Sequence, residues 1–427
     1  MISIKDNKDC CGCGACIQRC PKRCITLHED YEGFLYPKVD IQSCIDCHLC
    51  EKVCPEIRRN QSRNALEVFA AINTDEAIRM QSSSGGIFTI LAEKIIEKGG
   101  VVFGASFDDN WTVVHSYAET KAELAKFRGS KYVQSKIGNM FKKAEVFLKE
   151  GRWVLFSGTP CQIAGLKNFL RRDYTNLLTV DFICHGVPSP GVFRTYLQER
   201  INEAAALEGG VRNTVLPPCI PLVPESDGLD YKGMEIKSIT FRDKRNGWKK
   251  FGFALVLSKA TAEGEGNSVL PSYSTMYEDY FLRGFLCDLY LRPSCHACPV
   301  KGLRSGSDIE LGDWWGIASL LPEIDDDKGI SAVIVNTEKG RTALHETEAE
   351  LYEVPYDKLV KRNPALVKSG AIPRNRSKFF KNDGLTFKDK IEKLGKAPFS
   401  LKGFIIKCLI RIVPKDVIAK AKNIRND

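Results

Sequence analysis

Ten of the chain's 17 cysteines fall before residue 55, and their spacing repeats. Cys10, Cys13, Cys16 and Cys20 read C-x2-C-x2-C-x3-C, with Pro21 next; Cys44, Cys47, Cys50 and Cys54 repeat the pattern, with Pro55 next. Residues 1–60 must therefore wrap as two tight loops around something that thiolates hold. The chain opens MISIKDNKDC, without the basic segment and apolar run of a secretory signal. No stretch approaches the roughly 18 apolar residues of a membrane span. The expected setting is a reducing cytoplasm, where crowded cysteines read as metal ligands rather than disulfides.

The repeat is the spacing of two-cluster ferredoxins. Each close triplet wraps three corners of a 4Fe–4S cube, and the fourth thiolate points to the other cube. Cys10, Cys13, Cys16 and Cys54 are then the ligands of one cluster, and Cys44, Cys47, Cys50 and Cys20 those of the second. Gly12 and Gly14 let backbone N–H groups turn toward the cluster sulfurs. A zinc module also uses C-x2-C pairs, but two full repeats ending in Cys-Pro count against it. Cys11 and Cys24 are left over and read as packing.

Past residue 60 this signal stops. NQSRN is a polar joint, and LEVFAAIN, VVFGASF and WTVVHSYA read as strands. SSSGGIFTILAEKIIEKGG reads as a helix capped by Ser83 or Ser84 and stopped at Gly99. TKAEL carries a capping box, Thr120 to Glu123. A Ser/Gly turn entering a helix offers N–H groups to a cofactor phosphate, although a plain N-cap explains it as well. RWVLFSGTPCQIAGLKNFL is a strand, a tight turn and a helix, with Cys161 in the first helical turn, where the helix dipole favours a thiolate. NLLTVDFICHGVPSP is a second apolar strand, ended by Cys184, so Cys161 and Cys184 lie at the same ends of neighbouring parallel strands. RPSCHACPVKG adds Cys295 and Cys298. These four thiolates can close a third 4Fe–4S cluster; a zinc site at the pair, or a catalytic Cys161 with His185, are the alternatives. Cys219, Cys287 and Cys408 have no partner spacing.

SSGGIFT, FRGSKYVQS, FSGTPCQIAGLK, CHGVPSP, CHACPVKG and SDIELGDWWGI, together with the ferredoxin repeats, make the chain resemble the beta subunits of coenzyme F-420-reducing hydrogenases and dehydrogenases and their bacterial relatives. The resemblance runs from Cys10 to about residue 335. It implies a noncovalent FAD and a flavin-side Fe–S cluster. Cys161, Cys184, Cys295 and Cys298 match that cluster's ligands, and Ser84, Gly85, Gly86, Thr89, Lys131, Tyr132 and Ser135 match the flavin-site motifs.

Redox chemistry agrees with the resemblance. A 4Fe–4S cluster moves one electron, a hydride two, and a flavin can do either. The expected route is external donor, N-terminal clusters, third cluster, FAD, then a small-molecule substrate, reversible in principle. The donor is a ferredoxin or a redox subunit; the alternative is a non-catalytic electron-transfer subunit of a larger complex. Asp313 is the candidate to position a proton or a substrate group, while Trp314 and Trp315 read as packing.

The tail differs in charge. From Pro355 onward 19 Lys and Arg meet 6 Asp and Glu, a net +13 that exceeds the +9 of the whole chain. Its stretch FSLKGFIIKCLIRIVPKDVIAKAK mixes cations with apolar residues, fitting an amphipathic helix against an anionic membrane face, a partner or the protein's own surface. No nucleic-acid recognition motif accompanies the charge. The expected architecture is α+β: a ferredoxin-type domain (1–60), the two parts of a mixed α/β flavin-binding catalytic domain (61–150 and 151–340), and the basic tail (341–427).

Overall fold

The computed structural model describes residues 1–208, 222–259, 268–381 and 383–395. Cys219, Cys408 and the amphipathic tail from residue 398 lie outside the described residues.

Two short helices build the N-terminal module, Ala15–Arg19 and Leu49–Lys52. Each follows a left-handed residue, Gly14 at φ 72° and His48 at φ 58°. Such a turn presses successive N–H groups toward one point, and glycine adopts it without a Cβ penalty. Each helix carries the third cysteine of its triplet, Cys16 and Cys50. Between them runs the hairpin β1 (Ile25–Glu29) and β2 (Leu35–Val39), with Ile25 opposite Val39.

The rest of the chain forms two further sheets. β3 (Glu67–Ile72), β4 (Val101–Phe107), β5 (Val113–Ala118), β6 (Val154–Ser157) and β7 (Leu177–Phe182) come first. β8 (Met234–Asp243), β9 (Gly252–Lys259) and β10 (Ser268–Thr275) then make a separate antiparallel sheet, and β11 (Ile309–Asp313), β12 (Ser331–Val335) and β13 (Glu350–Glu353) return to the first. The large sheet runs β13-β3-β12-β11-β7-β6-β4-β5. β11, β7, β6 and β4 are parallel neighbours, and the flanking pairs are antiparallel. Near-continuous apolar runs such as VLFS in β6 and SAVIV in β12 are fully buried, as strands covered on both faces must be.

Alternate strand residues feed two cores. On one face Val102, Leu155 and Leu178 meet Ile87, Leu91 and Ile95 of the helix Ile87–Glu97. On the other, Phe103, Val154 and Phe156 meet Phe141 of the helix Met140–Lys149 and Ile163 and Leu166 of the helix Pro160–Leu170. Cys11, Cys13, Ala15 and Val53 of the N-terminal module belong to that second core, so the module is docked by apolar burial. Gly165 makes the approach possible: a Cβ there would lie 2.9 Å from Cys13 Sγ and 3.0 Å from Cys13 Cβ. Arg376 clamps the other side, its Nη1 donating to Glu32 Oε1 at 2.6 Å. The architecture is α+β, a ferredoxin-type module on a mixed α/β body.

Two local expectations change. The helix Ile87–Glu97 is preceded by left-handed Gly86 (φ 84°), not by a capping serine; Ser84 Oγ instead donates to Ile330 O at 2.7 Å. Thr120 and Glu123 do bond to each other, Thr120 Oγ1 donating to Glu123 Oε2 at 3.1 Å, but the segment they open is a 3-10 helix, Ala122–Phe127. Among the described residues no helix is long and apolar enough to cross a membrane.

Candidate functional site

Three cavities are walled by cysteines. The first, about 280 Å³, has Cys10, Cys13, Cys16 and Cys54 in its wall. The second, about 20 Å³, is lined by Cys20, Cys44, Cys47 and Cys50. In both, three cysteines of one repeat stand with one of the other, Cys54 in the first and Cys20 in the second. The third, about 30 Å³, gathers Cys161, Cys184, Cys295 and Cys298 from four places in the chain.

Sheet topology assembles the third set. β6 and β7 run parallel with Ser157 beside Val180, so the chain leaves both strands on one side. After β6 the turn enters the helix Pro160–Leu170, where Thr159 N donates to Gln162 Oε1 at 2.9 Å and Cys161 stands in the first turn. Cys184 follows β7 by two residues. Cys295 N donates to Arg292 O at 2.9 Å, and Val187 N donates to Cys295 Sγ at 3.4 Å. Lys301 Nζ lies on Cys184 O and on Ala365 O, tying the loop after Cys298 to the end of β7.

The donor sets fit iron–sulfur ligation in the N-terminal module. Each cavity there offers the four thiols of its predicted ligand set beside one further cysteine, Cys11 or Cys24, and a backbone N–H group reaches sulfur, Ile2 N donating to Cys50 Sγ at 3.3 Å. Burial holds the Cys16 thiol well above its ordinary range. In the third cavity burial pushes Cys184 up to about 12 and Cys298 to about 11. Crowded, desolvated thiols of this kind ionise only beside a strong cation. Among the described residues no three His, Cys, Asp or Glu side chains are arranged to hold a metal ion.

Cys11 and Cys24, read as packing, lie in apolar clusters. They are also wall residues. Cys24 Sγ is 3.4 Å from Cys20 Sγ in the second cavity. Cys11 lines both the first cavity, with Cys13, and the third, with Cys161. Cys287 Sγ donates to Gly395 O at 3.4 Å, away from all three.

The residues matched to flavin motifs divide. Ser83 Oγ and Ser130 Oγ are 2.7 Å apart, which joins the SSGG turn to the GSKY segment. Burial lowers the Lys131 amine to about 8, and its Nζ donates to Arg128 O at 3.1 Å. Tyr132 stacks on Phe285 with centroids 4.9 Å apart. Thr89 Oγ1 accepts from Arg128 Nε at 3.4 Å. Gly85 is pinned between strands: a Cβ there would lie 2.3 Å from Ala71 O and 2.7 Å from Ser331 N. Its smallness serves backbone packing. Ser135 stands apart from the others, in the wall of the first cysteine cavity, with its hydroxyl on His115 Nδ1. The turn that separates it from Tyr132 is tight, Val133 N donating to Lys131 O at 2.8 Å.

Sequence reasoning missed Arg242. Its side chain is 3% exposed, and Nη1 donates to Asp313 Oδ2 at 2.6 Å and to Tyr132 OH at 3.2 Å. Nε and Nη2 are buried without a partner. Asp313 is thus ion-paired. Nearby Trp248 and Trp315 stack 4.6 Å apart, and Trp248 Nε1 donates to Ser83 O at 3.1 Å. Burial lowers the Lys244 amine to about 7; it donates to Ser84 O at 3.2 Å. Arg242 and Lys244 sit in FRDKRNGW, whose dense charge reads as a solvated turn.

His115 gives a pH prediction. Burial lowers its imidazole to about 4 from 6.5. The unfolded chain therefore binds a proton that the fold refuses. Stability is full above pH 6.5 and falls by about 3 kcal/mol as pH drops toward 4. Urea unfolding of wild type and His115→Gln at pH 7 and pH 5 checks this; parallel pH dependence in the two proteins is the contrary result.

Residues 9–56 match the 4Fe-4S dicluster domain. Residues 68–142 match the N-terminal part of the coenzyme F420 hydrogenase/dehydrogenase beta subunit, and residues 151–207 and 227–357 match its C-terminal part. One component of the F(420)H(2) dehydrogenase of Methanosarcina mazei is 26% identical over 190 residues, 41% of this chain and 53% of that protein. An uncharacterized protein of Methanocaldococcus jannaschii is 26% identical over 203 residues, 40% of this chain and 55% of that protein. The chain thus spans about half the length of these curated relatives. A chain from the F420-reducing NiFe hydrogenase complex of Methanosarcina barkeri aligns over 78% of this chain and 93% of its own, at 16% identity and a TM-score of 0.41. The chain carries an N-terminal 4Fe-4S dicluster domain and belongs to the family of coenzyme F420 hydrogenase/dehydrogenase beta subunits.

Proposed function

We propose that the chain is an FAD-dependent, ferredoxin-linked oxidoreductase of the cytoplasm that joins its N-terminal clusters to a two-electron, small-molecule substrate. Cys161, Cys184, Cys295 and Cys298 are the ligands of a third 4Fe–4S cluster, and FAD binds beside Ser84, Lys131, Tyr132 and Arg242. Bound there, FAD supplies exchange between single electrons and electron pairs.

The observation that carries this reading is continuity of contact. His185, in the wall of the third cysteine cavity, meets the Phe285 ring edge-on at 5.3 Å, Phe285 stacks on Tyr132, and the Tyr132 hydroxyl accepts from Arg242. At the far end Arg242 Nε and Nη2 still lack an acceptor. Buried donors of that kind want an acceptor group, and the edge of a flavin or its phosphates provides several. Asp313 holds the guanidinium in place, so its role is positioning. Lys131 adds a buried amine that can take up or release a proton near neutral pH.

Analysis of the anaerobically reconstituted chain tests the reading. Three four-iron clusters require about twelve iron and twelve sulfide, with one FAD released on denaturation. About eight iron removes the third cluster, and zinc at Cys295 and Cys298 removes it too. Arg242→Gln is expected to lose most of its flavin while keeping its iron; unchanged flavin moves the binding site elsewhere.

A second reading is a non-catalytic electron-transfer subunit of a larger complex. It is favoured by the name of the Methanosarcina mazei relative, a subunit of a dehydrogenase. Turnover of a two-electron acceptor by the purified chain alone, with dithionite or reduced ferredoxin, supports the enzyme; turnover only with added subunits supports the second reading.

A further inference from the structure

Arg292 has no solvent exposure. Its Nε donates to Cys10 O at 2.7 Å and its Nη2 to Leu35 O at 3.0 Å, while Nη1 donates to Gln134 Oε1 at 2.8 Å. Nη2 also reaches Cys10 Sγ at 3.5 Å. The guanidinium lies 4.2 Å from the Tyr36 ring centre and 5.3 Å from that of Phe34. Gln134 fixes the other side of the same loop, its Nε2 donating to Cys11 O at 3.0 Å. Room for both side chains comes from Gly12: at φ 72°, a Cβ there would lie 2.5 Å from Gln134 Nε2 and 2.9 Å from Arg292 Nη1.

An arginine keeps its charge at any ordinary pH. A fully buried cation needs a nearby anion, or it costs the fold several kcal/mol. Among the described residues no carboxylate forms an ion pair with Arg292; what the guanidinium touches is carbonyl oxygen, an amide, aromatic faces and a thiol sulfur. A thiolate-ligated cluster at Cys10 supplies the missing negative charge. From that geometry we propose that Arg292 tunes the first N-terminal cluster, holding a buried positive charge and an N–H donor on Cys10 Sγ so that this cluster takes an electron more readily than it would without them.

The sign follows from charge. Reduction adds one negative charge to a cluster, and a fixed cation beside it stabilises the reduced form more than the oxidised form. Among the described residues the cations in the wall of the second cavity are not buried: Lys22 is exposed, and the Met1 amine is neutralised by Asp46 and Glu51 beside the exposed Cys47. Arg292 also sits three residues before Cys295, so one segment carries both this cation and a ligand of the third cysteine set. An electron entering at the exposed second cluster is thereby drawn inward toward the junction with the body. The inference rests on Cys10 being a ligand of the first cluster.

Anaerobic redox titration of the reconstituted full chain, followed by electron paramagnetic resonance, tests it in wild type, Arg292→Gln and Arg292→Lys. In wild type, the presence of both N-terminal cluster signals checks the ligand reading on its own. In Arg292→Gln one N-terminal signal is expected to half-reduce at lower potential than in wild type, while the other stays. Arg292→Lys, which keeps a charge but not the forked bonds to Cys10, is expected to move the same signal less. If Arg292→Gln sheds iron, Arg292→Lys decides by the same shift. Wild-type potentials at full iron content overturn the proposal, and loss of the cluster from both variants assigns Arg292 a structural role and overturns it as well.

Discussion

On the proposed route, Cys161→Ser is expected to stop electrons from the N-terminal clusters reaching the flavin while leaving both ends of the route chemically active. Its thiol is one of the four proposed ligands in the third cavity, and a serine oxygen is a poor substitute for a thiolate at an iron–sulfur corner. The rate of flavin reduction through the chain should fall by roughly 100-fold or more, since even outer contacts of a metal site are worth 10–100-fold. Direct chemical reduction of bound flavin should be unaffected, and iron should fall by about four atoms against wild type. Stopped-flow flavin absorbance with reduced ferredoxin as donor reads the first quantity, and dithionite alone reads the second. A variant with full iron that still reduces its flavin but no longer turns over substrate would make Cys161 a nucleophile instead.

Gly165→Val is expected to undo the docking of the N-terminal module. A Cβ at Gly165 already lies 2.9 Å from Cys13 Sγ, and Phe141 closes the other side at 3.6 Å. The helix Pro160–Leu170 is held by Ile163 and Leu166 in the sheet core, so it cannot retreat freely. Overpacking of this kind costs about 1–3 kcal/mol, and here the strain falls on Cys13, a thiol in the wall of the first cavity. The expected result is loss of the first cluster's signal with the second retained, together with faster proteolysis between residues 56 and 66. Gly165→Ala should show the same change in milder form. Full iron and an unaltered spectrum in Gly165→Val would mean that the module can shift as a unit.

The cysteine frame is legible in the sequence because ligand spacing is local: two repeats specify two loops, and the fourth thiol of each crosses to the other. Cys161 and Cys184 are legible for a different reason, since an apolar strand followed by a tight turn fixes which end of a parallel sheet the next residue occupies. Arg242 and Arg292 are hidden. Their partners are Asp313 and Cys10, 71 and 282 residues away, and charged residues in turn-rich stretches read as solvated. FRGSKYVQS looks like one cofactor motif, yet a single tight turn at Lys131–Val133 sends Tyr132 toward Arg242 and Ser135 to the ferredoxin cavity. Gly85 reads as space for a cofactor; the strands on either side of it, at Ala71 and Ser331, come from positions no local pattern connects.

Cys11 and Glu56 stand in the wall of the third cavity beside Cys161, Cys184, Cys298 and Leu366. That enclosure is therefore finished only when the first-made stretch of the polypeptide has met the last-made part of the body. A ribosome releases the N-terminal cysteines long before residues 295 to 366 exist. Assembly of the third cavity thus has a built-in order, and a chain cut short before residue 295 lacks two of its cysteines however completely the N-terminal module has formed.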